Sequence, residues 1–253
     1  MKLILKAVLI FLFSINIHAR EIGEVEITTE DGIEVFQNDK FYLLKKNVNI
    51  ESDNFTLSAT DVRINFEKNL YDIVELIAKG EVDFFSNEFK IRGKGDILNF
   101  ETKIEKLKVE GKGSELITKD IKMISDGFIE VNNLTGSFNL KGLNSKLINE
   151  NILIIAESID GIFVDLPNKK EIVYLKIYDG KISYVKNKET EMYAKKINFN
   201  NDKSTIELID NVTIIRNEEK ITGDYGTLDT RNNSYKIKSN NQSKVKVIIQ
   251  NNE

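Results

Sequence analysis

The sequence predicts an all-β protein, which would be a sandwich, a barrel or an elongated roll. Apolar and polar residues alternate in short runs along most of the 253 residues, and a period of two gives each strand one apolar and one polar face. Asn, Asp and Gly interrupt these runs about every 8–12 residues, the rhythm of short strands joined by turns. A hairpin-sized pattern also recurs, at residues 58–67 and 93–101. Because one hairpin cannot bury its apolar face, such units must stack.

Residues 1–19 are predicted to be a secretory signal peptide that precedes this fold. Lysines begin the segment, residues 7–17 form a mostly apolar run, and Ala19 supplies a small residue at the cleavage site. The run is shorter than the roughly 20 apolar residues of a membrane-spanning helix. Ile17 is larger than the cleavage pattern prefers, so an uncleaved N-terminal anchor is the alternative.

The composition excludes several classes of function. The chain carries 36 Lys and Arg against 40 Asp and Glu, a formal net charge of −4. Cleavage after Ala19 removes two lysines and gives 34 − 40 = −6. Cleavage also removes the single histidine, and the chain has no cysteine, which excludes His- or Cys-based catalytic triads and zinc sites. No cofactor is predicted, and the acidic balance argues against nucleic acid as a partner.

Residues 20–111 show the alternation most regularly. Residues 71–79 and 103–108 contain helix formers, but both segments are short and lack a cap, so strands are predicted there. Lys79-Gly80 is among the predicted turns. The predicted strands are residues 21–28, 33–37, 41–44, 48–50, 55–59, 62–66, 71–78, 82–85, 89–92, 96–100 and 104–109.

Residues 113–250 continue the strand rhythm more loosely. The clearest predicted hairpin joins residues 171–177 and 181–185 through Asp179-Gly180, because Asp-Gly favours the positive φ angles of a type I′ turn. The repeated pattern returns at residues 193–199, 204–212 and 220–229. The other predicted strands are residues 116–118, 121–124, 128–131, 136–140, 146–148, 152–156, 235–237 and 245–249.

Several of these segments resemble the OstA-like family, the LptA-type organic solvent tolerance domain. The motif is carried by SATDVRINFE with IVELIAKGEVDFF, and again by YAKKINFNND with TIELIDNVTII. EFKIRGKGDILNFE and KITGDYGTLD are partial copies. The resemblance covers most of residues 25–112 and 190–240, whereas residues 113–190 keep the strand rhythm without the motif.

The resemblance implies an elongated open β-jelly roll in the periplasm, without catalytic activity. Its interior would take the acyl chains of lipopolysaccharide or of a lipid A-like glycolipid and carry them toward the outer membrane. Family members stack end to end, which implies a head-to-tail homo-oligomer and contacts with inner- and outer-membrane transport components. Unpaired edge strands are templates for such contacts, and residues 22–28 and 245–249 are the candidates. Residues 20–250 are predicted to form one roll or two fused units, about 20–112 and 113–250.

The candidate lipid-binding residues are apolar side chains predicted to face inward on the repeated strands. An apolar residue at strand spacing is most often part of a plain core, so packing is the alternative role for each of them. The row consists of Val62, Ile64, Phe66, Leu98, Phe100, Leu107, Val109, Ile197, Phe199, Ile206 and Leu208.

Three other functions stay open at this point. The chain would be an anchored component of the same transport machine if the N-terminal segment is retained. A structural β-solenoid at the cell surface would have a filled, dry interior and no lipid ligand. A glycosidase or lyase would need paired carboxylates; Asp61, Asp96 and Asp224 recur in the motif, but turn and strand-edge positions explain them equally well, so no enzyme is predicted.

Overall fold

The computed structural model describes residues 24–68, 72–167, 169–232, 234–240 and 244–249, and it confirms the predicted all-β class. The predicted signal peptide lies outside these residues. In the described part of the chain, no helix is both long and apolar enough to span a membrane. One 3-10 helix is present, at Thr102–Ile104. The strands are β1 Glu26–Thr28, β2 Ile33–Phe36, β3 Phe41–Glu51, β4 Phe55–Phe66, β5 Ile73–Ser86, β6 Ile91–Glu101, β7 Lys106–Glu110, β8 Ser114–Ile117, β9 Ile121–Ser125, β10 Phe128–Asn132, β11 Ser137–Asn149, β12 Ile152–Leu166, β13 Lys169–Asn187, β14 Thr190–Asn200, β15 Thr205–Arg216, β16 Glu219–Asp229, β17 Ser234–Lys238 and β18 Lys246–Ile249.

The strands form one continuous antiparallel meander. Long strands pair with their neighbours in the chain from β3 to β6 and from β11 to β16. Four pairs of short strands lie end to end along one long neighbour: β1 and β2 on β3, β7 and β8 on β6, β9 and β10 on β11, and β17 and β18 on β16. Except between the two strands of each such pair, consecutive strands are therefore paired neighbours in the sheet.

A crease crosses the long strands and divides the sheet into two half-sheets. The first half-sheet contains β2, β7, β10 and β17, the second contains β1, β8, β9 and β18, and each long strand contributes a segment to both. Between β4 and β5, for example, the pairing shifts register after Ser58 and resumes at Asp61. Buried side chains of β4 lie at residues 57 and 59 before the shift and at 62, 64 and 66 after it. One inserted residue exchanges the two faces of a strand, so the same apolar row stays inside around the bend.

Three other strands cross the crease through a pair of residues with left-handed backbone conformation. In β3, β5 and β15 two successive residues adopt positive φ angles, at Lys46-Asn47, Gly80-Glu81 and Asp210-Asn211. The prediction of a chain reversal at Lys79-Gly80 is therefore wrong, since Gly80 lies inside β5. Left-handed residue pairs are also the signature of hairpin turns, and this shared local conformation is why the sequence signal was ambiguous.

The predicted hairpin at Asp179-Gly180 is also wrong. Both residues lie within the single long strand β13, whose register against β14 shifts between Tyr178 and Ser183. The Asp179 carboxylate accepts hydrogen bonds from the backbone N–H groups of Lys181 (2.7 Å) and Ile182 (3.1 Å). Asp thus bends the chain through its side chain, as in an Asx turn, but the strand continues across the crease instead of reversing.

The inner faces of the two half-sheets enclose one apolar core. Small buried residues line the crease, where the half-sheets meet most closely. Among them, Ser125 and Ser145 lie 3.0 Å apart through their hydroxyl oxygens, and each also donates to a crease carbonyl, of Lys141 and Gly142 respectively, at 2.9 Å. These contacts satisfy polar groups that would be costly to bury unpaired.

Candidate functional site

The side of the roll opposite the crease consists of two rows of turns, which we call the lips. The first lip contains the turns after β2, β4, β6, β10, β12, β14 and β16, and the second contains the turns after β3, β5, β8, β11, β13 and β15. Backbone hydrogen bonds join neighbouring turns of one lip, such as Asn133 N–H to the Glu105 carbonyl (3.0 Å) and Lys188 N–H to the Asn151 carbonyl (3.1 Å). Each lip is therefore a hydrogen-bonded rim, and the interior opens between them.

A cavity between the lips lies in the part of the roll built from β12 to β15. Its volume is about 750 Å³, within the range of about 300–1,000 Å³ typical of ligand pockets. We call this cavity the bay. Its apolar wall on the second half-sheet is formed by Ile152, Ile154, Val185 and Met192. On the first half-sheet it is formed by Ile172, Leu175, Ile177, Ile197, Phe199 and Ile206.

The rim of the bay is polar, so the cavity has an apolar floor and a hydrogen-bonding mouth. Asparagine amides dominate the mouth, and cations and carboxylates of both signs accompany them. The rim residues are Lys119, Asp120, Asn149, Glu150, Asn151, Lys170, Glu171, Asn187, Asn201 and Thr230. This arrangement suits an amphiphile with a buried apolar tail and a polar, uncharged or mixed-charge head group at the lips.

The groove is much narrower toward the N-terminal end of the roll. A slot of about 40 Å³ lies there, lined by the aromatic rings of Phe55, Phe84, Phe89 and Phe100. Phe89, on the second lip, packs edge-on against Phe100 of the first half-sheet with ring centroids 6.0 Å apart. An anteroom of about 290 Å³ shares Phe89 with the slot and Lys170 with the bay. The three spaces follow one another along the same opening.

A hydrogen bond joins the two lips at the boundary between anteroom and bay. The backbone N–H of Lys170, at the start of β13, donates to Oδ2 of Asp120, in the turn between β8 and β9, over 3.2 Å. The Lys170 ammonium group lies 2.6 Å from Oδ1 of Asp165 and 4.3 Å from the ring centroid of Phe163. Both residues of this contact, which we call the clasp, line the anteroom and the bay.

The structure places every residue of the predicted interior row inside the roll. Ile197, Phe199 and Ile206 line the bay, and Leu98, Phe100 and Leu107 line the slot. Four others pack in the closed core: Val62, Ile64, Val109 and Leu208. Phe66 is also buried, with its ring 5.3 Å from that of Tyr42. The row is thus interior, and its members divide into cavity walls and packed core.

Sequence reasoning missed most of the bay wall. Seven of its residues come from β12, β13 and β14 and precede the second motif copy. Six of the seven lie in residues 113–190, where the repeated pattern is absent. The available signal was the alternation in ILIIAE and EIVYLKI, which predicts inward-facing apolar residues there. The predicted site residues were instead taken from the strands that carry the repeated motif, in residues 55–111 and 193–229.

Ionisable groups of the described residues were compared for metal-binding geometry and for shifted pKa values. Among these residues, no three His, Cys, Asp or Glu are arranged to hold a metal ion. The largest pKa change belongs to Tyr193, where burial and the hydrogen bond from its hydroxyl to Glu191 (3.0 Å) raise the pKa to about 12. The Tyr193 and Tyr184 rings are tilted against each other at 43°, with centroids 5.0 Å apart. Both residues alternate with buried residues of their strands, so the pair lies on the outer surface.

Comparisons with known proteins give a distant similarity in structure. No family model matches the chain, and no curated protein matches it. Among solved structures it is similar to LptH of Pseudomonas aeruginosa, described as the LptA-homologous periplasmic component of the lipopolysaccharide transport device. That similarity has a TM-score of 0.41 and 16% identity, and it covers 52% of this chain and 95% of LptH. At this level no residue role and no activity is transferred from LptH.

Proposed function

We propose that this chain is a periplasmic, non-catalytic carrier of a lipopolysaccharide- or lipid A-type glycolipid, moving it toward the outer membrane. The observation that carries the proposal is the bay, an apolar cavity that opens to solvent along a polar rim. Burying an acyl chain gains about 0.8 kcal/mol for each CH₂ group, so even part of a chain in the bay gives substantial affinity. The motif resemblance supplies the class of lipid.

The proposal is tested by photo-crosslinking to lipopolysaccharide from within the bay. p-Benzoylphenylalanine at Phe199 should form a covalent adduct, because this ring lines the bay. The matched control carries the same probe at Tyr184, an aromatic residue on the outer surface of the same region. Adduct formation at Phe199 alone supports the carrier. Equal labelling at the two positions, or no adduct at Phe199, contradicts it.

Assembly with other proteins is proposed to use the two ends of the roll. β1 and β2 at one end, and β17 and β18 at the other, each pair on one side only among the described strands. Both ends also expose large apolar side chains, including Ile33, Val35, Val247 and Ile249. Unpaired strand edges with apolar side chains are templates for strand addition. A second copy or a membrane-bound transport component would extend the sheet there.

A structural protein without a lipid ligand is the second candidate function. It is favoured by the N-terminal part of the roll, where the slot holds only about 40 Å³ and aromatic rings close the opening. A purely structural role predicts that lipid enters neither the slot nor the bay. The Phe199 probe therefore separates the two functions directly.

A further inference from the structure

The groove is divided into compartments, and the division rests on contacts across the lips. The slot, the anteroom and the bay lie in sequence along one opening, with volumes of about 40, 290 and 750 Å³. The slot and anteroom share Phe89 and Asn133, whereas the anteroom and bay share Lys119, Asp120 and Lys170. Any chain-like ligand that extends from the bay toward the N-terminal end must therefore pass the clasp.

Both ends of the clasp are held in place by their own local contacts. On the second lip, the Thr118 hydroxyl accepts hydrogen bonds from the backbone N–H groups of Asp120 (3.3 Å) and Ile121 (3.0 Å), which fixes the turn that presents the Asp120 carboxylate. On the first lip, the ion pair with Asp165 and the contact with Phe163 position Lys170. Across the clasp, in contrast, the described residues make one hydrogen bond, from a backbone N–H group to a carboxylate.

A gate needs two sides that are each held in place and a weak contact that joins them. The clasp has this arrangement, because contacts within each lip hold its two residues and one hydrogen bond joins them. The local contacts on the two sides do not depend on the bond across the lips, because the Thr118 bonds lie within the second lip and the Asp165 and Phe163 contacts lie within the first. Loss of the bond between the lips would let them part and join anteroom and bay while these local contacts persist. A hydrogen bond to an ionised acceptor is strong enough to favour the closed state and weak enough to be exchanged for water.

We propose that the hydrogen bond between Asp120 and the Lys170 backbone is a gate that confines the acyl chains of a bound lipid to the bay. The proposal rests on the proposed carrier function. When the gate is closed, the lipid occupies the C-terminal part of the groove alone. When it opens, the chains extend through the anteroom to the aromatic slot, and Phe89 must move away from Phe100 to admit them.

The proposal is tested by placing p-benzoylphenylalanine at Phe100, in the slot, and at Phe199, in the bay, and crosslinking to lipopolysaccharide. Asp120→Ala removes the acceptor, whereas Asp120→Asn keeps an oxygen that accepts the same hydrogen bond. We expect Asp120→Ala to raise the yield of the Phe100 adduct about tenfold, the change that corresponds to about 1.4 kcal/mol. The Asp120→Asn yield should stay near that of the unmodified chain, and the Phe199 adduct should form in all three.

A disulfide bond across the clasp tests the opposite case, in which the gate is held closed. The chain has no cysteine, so the pair Asp120→Cys and Lys170→Cys introduces only the intended thiols, at the two positions that the clasp joins. Oxidation should abolish the Phe100 adduct and leave the Phe199 adduct, and reduction should restore the former. An unchanged Phe100 yield in both Asp120→Ala and the oxidised pair would overturn the gate.

A measurement without lipid separates the gate from the carrier function. The Lys170 amide donates the bond across the lips, so its hydrogen exchange without lipid should be about tenfold faster in Asp120→Ala than in Asp120→Asn, again the equivalent of about 1.4 kcal/mol. Equal exchange rates would contradict the gate whatever the lipid result. Absence of the Phe199 adduct in every variant would instead overturn the carrier function, and the exchange rates would then decide the gate alone.

Discussion

At the scale of single residues, the crease depends on backbone conformations that only some residues tolerate. Gly80 has a φ angle of +77° in the middle of β5, and a Cβ atom built there would lie 2.8 Å from Cβ of Thr60 on the neighbouring strand. Gly113 has a similar φ of +69°, but a Cβ atom there would meet nothing within 4 Å. Substitution at Gly113 therefore measures the cost of backbone strain alone, whereas substitution at Gly80 measures the cost of strain together with crowding.

Gly80→Ala should lower the free energy of unfolding more than Gly113→Ala. Left-handed φ costs an L-residue roughly 1–2 kcal/mol, and this applies to both variants. Crowding against Thr60 adds about 1–3 kcal/mol at position 80 alone. Urea denaturation followed by circular dichroism measures both changes. Equal destabilisation of the two variants would show that Thr60 moves aside and that the crease is not tightly packed at this strand.

At the scale of strands, the two ends of the roll carry opposite charges. Residues 24–36 contain acidic residues and no Lys or Arg, whereas residues 234–240 and 244–249 contain lysines and no acids. Some of these groups pair within the chain, as Glu34 does with Lys45 at 2.7 Å. The acidic residues are Glu24, Glu26, Glu30, Asp31 and Glu34, and the lysines are Lys236, Lys238, Lys244 and Lys246. Opposite ends of two copies therefore attract each other, and like ends repel.

If two copies join end to end through β18 and β1, reversing a charge on one edge should weaken the association. We expect Lys246→Glu to reduce the oligomer fraction in sedimentation velocity, because it adds an acid to the edge that would meet the acidic end of the next copy. The double variant with Glu26→Lys should recover association, since it restores opposite charges with the signs exchanged.

Salt provides the control for this pair. Screening over a Debye length of about 8 Å at 0.15 M should reduce the difference between the single variant and the unmodified chain. If the double variant associates no better than Lys246→Glu, the edges do not meet in the proposed head-to-tail order.

At the scale of the whole molecule, the meander crosses the proposed boundary near residue 112 without a break. β6 pairs with both β7 and β8, and β9 and β10 carry the sheet on to β11. Leu98, before the boundary, and Leu208, after it, are both fully buried in the common core. A single unit is therefore the expected behaviour, and two fused units are the alternative.

Leu98→Ala and Leu208→Ala should each shift one common unfolding transition. Truncating a buried leucine costs about 2–5 kcal/mol, and a continuous sheet transmits this loss to all strands that unfold together. Differential scanning calorimetry measures the number of transitions and the shift of each. Two transitions, each moved by only one of the two variants, would show that the roll consists of separate folding units.

The sequence by itself determined the strands and their inner faces. Alternation with period two predicted inward-facing side chains such as Val62 and Leu208, and these are buried, because pleating places every second residue on the same face. The small residues and left-handed pairs of the crease were also visible. The sequence did not show whether these residues reverse the chain or only bend it, since Lys79-Gly80 and Asp179-Gly180 have the local chemistry of a turn in both cases.

Only the tertiary structure decided which part of the apolar row faces a cavity. Phe100 and Phe199 occupy equivalent places in repeated strands, yet the first closes a narrow slot and the second lines a wide bay. The difference comes from the separation of the two half-sheets and from contacts between lips that are distant in the chain, such as Asp120 with Lys170. Local alternation carries no information on that separation, because it sets the face of a side chain and not what lies opposite.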